Sequence, residues 1–187
     1  KGLIEVNGIL GSTATFISGN ETIIIYKENS VRTKRKLIFP LKVISEDDYL
    51  AIIHKPAGIL VSGNSFKTIS KALVQNLIPS TQADVCPPKP IHRLDYPTTG
   101  LLLIGKTRTS IIALNKLFEQ KKIEKKYLAV SIGKMKSPYG IIKDDIDEKE
   151  AESHYQVIQT VASERFEYLN LLELSPKTGR RHQLRKH

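Results

Sequence analysis

The sequence predicts a mixed α+β fold, because long apolar strand-like runs alternate with two stretches of helical periodicity. The strand-like runs centre on residues 43–44, 49–53, 101–104, 126–132, 153–161 and 166–174. The helical stretches fall at 67–78 and 109–120. Proline and glycine punctuate the boundaries, and neither internal repeats nor low-complexity tracts interrupt the pattern.

Residues 1–27 read as a small β-rich piece. Residues 3–6 alternate apolar and polar, Asn7-Gly8 is a hairpin turn signal, and 22–26 form a second strand after a turn at Gly19-Asn20. A polar, basic stretch without apolar period follows, so 28–40 are taken as a linker and 41–187 as the main domain. In that domain Pro56 and Gly58 end the 49–53 strand, and Ile69, Ala72, Leu73 and Leu77 recur at helical spacing up to Pro79. Three prolines between Cys86 and Pro90 mark a loop, while Leu101 to Ile104 is a continuous apolar strand. Ile112, Leu114 and Leu117 give the second helix its apolar face. After the last long strand, Pro176-Lys177-Thr178-Gly179 forms a turn, and a helix is expected from His182 onward.

The 187 residues suffice for one ordinary domain with a small appendage. With 40% hydrophobic and 26% charged residues the chain has a globular composition. Its net charge of +10 and pI near 9.6 fit a polyanionic partner, although a solvated lysine-rich surface would give the same figures. Six per cent aromatic residues and no tryptophan argue against a broad base-stacking platform. Apolar runs stay short of the roughly 20 residues that span a bilayer, so no membrane association is expected. The first residues lack the apolar core of a secretory signal, and Cys86 is the single cysteine, so a cytoplasmic protein is expected.

Several motif matches carry little chemistry. Gly100-Leu101-Leu102-Leu103-Ile104-Gly105-Lys106-Thr107 fits a phosphate-loop pattern, yet four bulky aliphatics occupy what must be a flexible loop, so it reads as a buried strand. The histidines at 54, 92, 154, 182 and 187 lack metal-ligand spacing, and no metal is expected. His92-Arg93-Leu94-Asp95 sits between a proline-rich segment and a strand, where catalytic groups concentrate, but Arg93 and Asp95 alone could be a surface ion pair. Tyr127 alone is an ordinary half-buried strand aromatic. The basic segment 177–187 could bind phosphate or form a solvated helix face.

Taken in order, the segments resemble the RluA-type pseudouridine synthase family. The resemblance rests on Lys55-Pro56-Ala57-Gly58, His92-Arg93-Leu94-Asp95 with Thr98-Thr99-Gly100-Leu101-Leu102-Leu103, and Lys126-Tyr127. It continues through Ala151-Glu152-Ser153-His154-Tyr155 and Gly179-Arg180-Arg181-His182-Gln183-Leu184-Arg185. Thr99 stands where the family usually has serine, and Arg181 where it has a small polar residue. Residues 1–27 resemble the remnant of an alpha-L-type RNA-binding domain.

The resemblance implies a central, mostly antiparallel sheet with flanking helices, and further helix and strand beyond His187. It implies conversion of uridine to pseudouridine in RNA with no cofactor, by a monomer, with ribosomal RNA favoured over transfer RNA. It assigns Asp95 as the essential carboxylate, Arg185 as its ion-pair partner, and Tyr127 as the residue that stacks on the flipped uracil. Arg93, His92, Arg180, Leu184 and Lys55 are expected to contact RNA, Arg93 by entering the vacated space and Leu184 by lining the pocket. The alternative is a non-catalytic RNA-binding protein that keeps the same fold.

Overall fold

The structure, a computed structural model, describes residues 4–26 and 37–187. Leu3 of the first expected strand and residues 28–36 of the expected linker lie outside the described residues. The chain divides into two units, residues 1–36 and 37–187.

The first unit is a three-stranded antiparallel sheet of β1 (Ile4–Val6), β2 (Ile9–Leu10) and β3 (Ile23–Ile25), in the order β2-β1-β3. Asn7 and Gly8 both have positive φ, 50° and 77°, the conformation that a two-residue hairpin turn of this hand requires. The Asn7 side chain also accepts from the Thr22 amide at 2.9 Å, which ties the turn to the entry of β3.

The second unit has the expected mostly antiparallel α+β build, with its strands in two four-stranded sheets. The first has the order β4-β5-β7-β6, with β4 (Lys42–Glu46), β5 (Leu50–Lys55), β6 (Val85–Pro90) and β7 (Gly100–Thr107). Strict alternation in β5 turns Ala51, Ile53 and Lys55 inward, and β7 adds Leu102 and Ile104. The four apolar ones pack with Ile59, Val61, Ile69, Ala72 and Leu73 into the main apolar cluster. Truncating a central member such as Ile53 to alanine would cost about 2–5 kcal/mol.

The expected helix at 67–78 is shorter than its apolar spacing suggested. It forms only as α1 (Ile69–Ala72) and one 3₁₀ turn at Leu73–Gln75. Asn76 explains the stop: its amide donates to the Ala72 carbonyl at 2.8 Å and to the Phe39 carbonyl at 2.9 Å, and its oxygen accepts from the Leu41 amide. These side-chain bonds replace the helical ladder.

The proline-rich segment expected to be a loop is instead strand β6. It lies at the sheet edge, where missing amides cost little, and its ladder with β7 shifts between Val85 and Lys89, where Pro87 and Pro88 lie. On the β7 side, Gly105 lets helix α2 (Arg108–Glu119) approach, since a Cβ there would meet Ile111 Cγ1 at 2.4 Å. The phosphate-loop lookalike is thus a strand. Buried Lys106 pairs with Glu46 at 2.8 Å, and Thr107 caps α2 in a capping box with Ser110.

The second sheet has the order β8-β11-β10-β9, with β8 (Tyr127–Ile132), β9 (Tyr139–Ile142), β10 (Ser153–Ser163) and β11 (Glu167–Pro176). β9 was not expected from sequence. A final short helix, α3 (Gln183–Lys186), follows β11. Among the described residues no helix is long and apolar enough to cross a membrane.

Candidate active site

Between the β6–β7 connection, strand β8 and the segment after β11 lies a cavity of about 570 Å³, within the usual range for small-molecule sites. Asp95, Tyr127, Arg185, Arg93, His92, Arg180 and Leu184 all line it, so residues separated by up to 93 positions converge. Lys55 does not line it.

Each side chain is placed by a local cause. Asp95 follows buried Leu94, which lies 3.9 Å from the position a Cβ on Gly100 would take. Gly100 has φ of +137°, which a side chain would rarely tolerate. Tyr127 opens β8 opposite Leu174 of β11, and both line the cavity, Tyr127 half-buried there.

Gln183 organises the segment that carries the basic residues. It is buried, and its oxygen accepts from Thr178 Oγ1 at 2.7 Å and from the Arg180 amide at 2.9 Å. Its amide donates to the Glu152 carbonyl and to Ser153 Oγ, both at 2.9 Å. All four of its hydrogen-bonding positions are thereby used.

Among the described residues, the cavity has one carboxylate, that of Asp95, and five cations, Arg93, Lys125, Arg180, Arg181 and Arg185. Arg185 Nη1 lies 3.8 Å from Asp95 Oδ2, and its side chain is 56% exposed. The shorter contact comes from His182, whose Nδ1 is 2.7 Å from the same oxygen. His182 has a left-handed backbone, φ 55° and ψ 26°, a conformation uncommon for residues other than glycine. Sequence reasoning missed this histidine, because neither its backbone conformation nor its distance from Asp95 has a local signature.

Burial pushes the Tyr127 hydroxyl above the ordinary tyrosine value of 10.0, and the Asp95 charge adds to the shift. The group is therefore a protonated phenol at neutral pH. His92 is lowered from 6.5, mainly by burial. Its Nε2 accepts from the Leu103 amide at 3.2 Å and its ring stacks on Phe118 at 5.1 Å, so it is a neutral wall of the cavity. Lys125 also escaped the sequence reading. It is half-buried, held below the usual lysine range by burial and then by Lys121, and has no ion-pair partner among the described residues.

Lys55 corrects an expectation. Its side chain is fully buried, and its ammonium donates to the carbonyls of Pro56 at 3.0 Å, Tyr96 at 3.3 Å and Thr98 at 2.7 Å. With three donors on three carbonyls, it holds the turn after Asp95 and has nothing left to offer RNA. Arg180 is partly committed too, since its Nε donates to the Glu150 carbonyl at 2.8 Å. Arg93 is exposed at the cavity edge.

The family described as RNA pseudouridylate synthase matches residues 49–187. The chain is 35% identical over 171 residues to ribosomal large subunit pseudouridine synthase C of Rickettsia bellii, covering 83% of this chain and 54% of the relative. It is 35% identical over 171 residues to tRNA pseudouridine synthase C of Haemophilus ducreyi, covering 79% of this chain and 68% of the relative. Among solved structures, human RNA pseudouridylate synthase domain containing 4 superposes with a TM-score of 0.61 at 24% identity, over 77% of this chain and 62% of that one, which establishes the shared α+β fold. The chain spans about half the length of its Rickettsia relative. A match over residues 49–187 that includes every segment lining the cavity makes this chain a member of the RNA pseudouridylate synthase family.

Proposed function

We propose that the protein of this chain isomerises uridine to pseudouridine in RNA, with Asp95 as the essential carboxylate. The observation that carries this reading is a single carboxylate, held by His182 and Arg185, in a cavity whose other charges are cationic. The reaction breaks the N1–C1′ bond, turns the base, joins C5 to C1′, and exchanges a proton at C5 for one at N1. No atoms or electrons are added overall. A second carboxylate to activate water, as hydrolysis of the same bond would need, is missing from the described cavity wall.

The target atom is hidden in a stacked base, so the nucleotide is flipped into the cavity. Arg93, at the cavity edge, enters the space the base leaves. Tyr127 stacks on the uracil, and its hydroxyl relays the C5 proton by handing its own proton to water as it takes up the one from C5. Leu184 lines the apolar side and His92 the neutral wall, while Arg180 and the other cations face the phosphates. Arg185 pairs with Asp95 across the cavity.

Ribosomal RNA is the substrate we favour and transfer RNA the second, in keeping with the names of the relatives. The three-stranded N-terminal unit is read as belonging to an RNA-binding domain, and the protein as a cytoplasmic monomer. The test is incubation of the full-length protein with RNA tritiated at uridine C5. Release of tritium to water is expected. RNA binding without release from either RNA class would favour a binding protein that keeps the fold.

A further inference from the structure

We propose that His182 is a positioning residue for Asp95, and that Arg181 sets its tautomer. The inference rests on the role assigned to Asp95 above. His182 Nδ1 and Asp95 Oδ2 are 2.7 Å apart, so a proton lies between them. On the other side of the ring, Arg181 Nε donates to His182 Nε2 at 3.2 Å. A guanidinium has only donors, so this contact needs a bare Nε2; Arg185 Nη1 also lies 3.4 Å from Nδ1, but the much shorter 2.7 Å contact with the carboxylate requires the proton there. The ring proton is therefore on Nδ1, and it is donated to the carboxylate.

The consequence for Asp95 is directional. One oxygen, Oδ2, receives both the His182 hydrogen bond and the Arg185 charge. The other, Oδ1, is left to face the nucleotide. Arg185 alone would fix this poorly, because its side chain is 56% exposed and 3.8 Å away. His182 is 32% exposed and turns toward Asp95 through its left-handed backbone, directly before buried Gln183. The carboxylate is thus aimed by a neutral donor, with a separate cation beside it.

Single-turnover tritium release by the full-length protein at saturating RNA separates these roles. His182→Ala is expected to lower the rate about 100-fold, the scale of a reacting group misplaced by about 1 Å, with RNA affinity unchanged. His182→Asn, whose amide can donate from the same position, is expected to recover most of that loss. Nitrogen-15 spectra of histidine-labelled protein, with His182→Asn to assign the signal, are expected to show Nδ1 protonated and Nε2 bare at neutral pH. Wild-type rates in His182→Ala, or no rescue in His182→Asn, would overturn the positioning role. A proton on Nε2 would overturn the tautomer. A wild-type protein that releases no tritium would instead refute the proposed function, while the nitrogen spectrum would still test the Arg181 contact.

Discussion

Lys55 Nζ donates to the carbonyl of Thr98 at 2.7 Å from a side chain with no solvent exposure, so a buried cation ties strand β5 to the turn that follows Asp95. Replacing it with methionine keeps the bulk but strands the carbonyls of Pro56, Tyr96 and Thr98 without their donor. A loss of about 3 kcal/mol is expected, as for other broken buried charged hydrogen bonds. Denaturant unfolding checks it. Unchanged stability would mean that the three bonds are not formed in solution.

Gly105 is where α2 meets β7. An alanine Cβ would stand 2.4 Å from Ile111 Cγ1 and 3.3 Å from the Ile111 Cα, so backbone as well as side chain must move. Gly105→Ala is expected to destabilise by about 1–3 kcal/mol, the usual range for overpacking. Ile111→Ala in the same chain is expected to return part of that loss, which a double-mutant cycle would read as coupling.

His92 gives the fold a pH dependence. Its folded value is lowered from 6.5, chiefly by burial, so below that pH the unfolded chain takes up a proton that the folded chain resists. Its contribution is therefore intact above about pH 6.5 and is lost as pH falls toward the folded value. Glutamine can accept from the Leu103 amide without titrating. His92→Gln is expected to lose less stability than wild type between pH 7.5 and 5.5. Parallel urea midpoints at the two pH values test this, and equal losses would contradict it.

Tyr127→Phe keeps the ring and removes the hydroxyl. Under the proposed function, RNA affinity is expected to hold while turnover falls about 100-fold or more, the range for a lost proton-transfer group. Turnover at the wild-type rate would leave the hydroxyl without a chemical role.

Strands β5 and β7 were legible in the sequence because alternation and continuous apolar runs report burial directly. β6 was not, since proline speaks against a strand only where its amide would be needed, and the edge position is set by the rest of the sheet. β9 has four residues after Pro138 and pairs only with β10, too short a run to announce itself. The site followed the same division. Asp95, Tyr127 and Arg185 were found through motif order, and they do share one cavity. Lys55 was misread because a lysine's sequence context does not show that three carbonyls surround it. His182 was passed over because its partner is 87 residues away and its orientation depends on a left-handed backbone.

The central claim is that one carboxylate runs the reaction. Asp95→Asn retains shape and removes charge, so tritium release from C5-labelled RNA by this variant of the full-length protein is the most direct measurement. With RNA affinity near wild type, release is expected to fall below detection. Release at a rate near that of the wild type would contradict the role of Asp95.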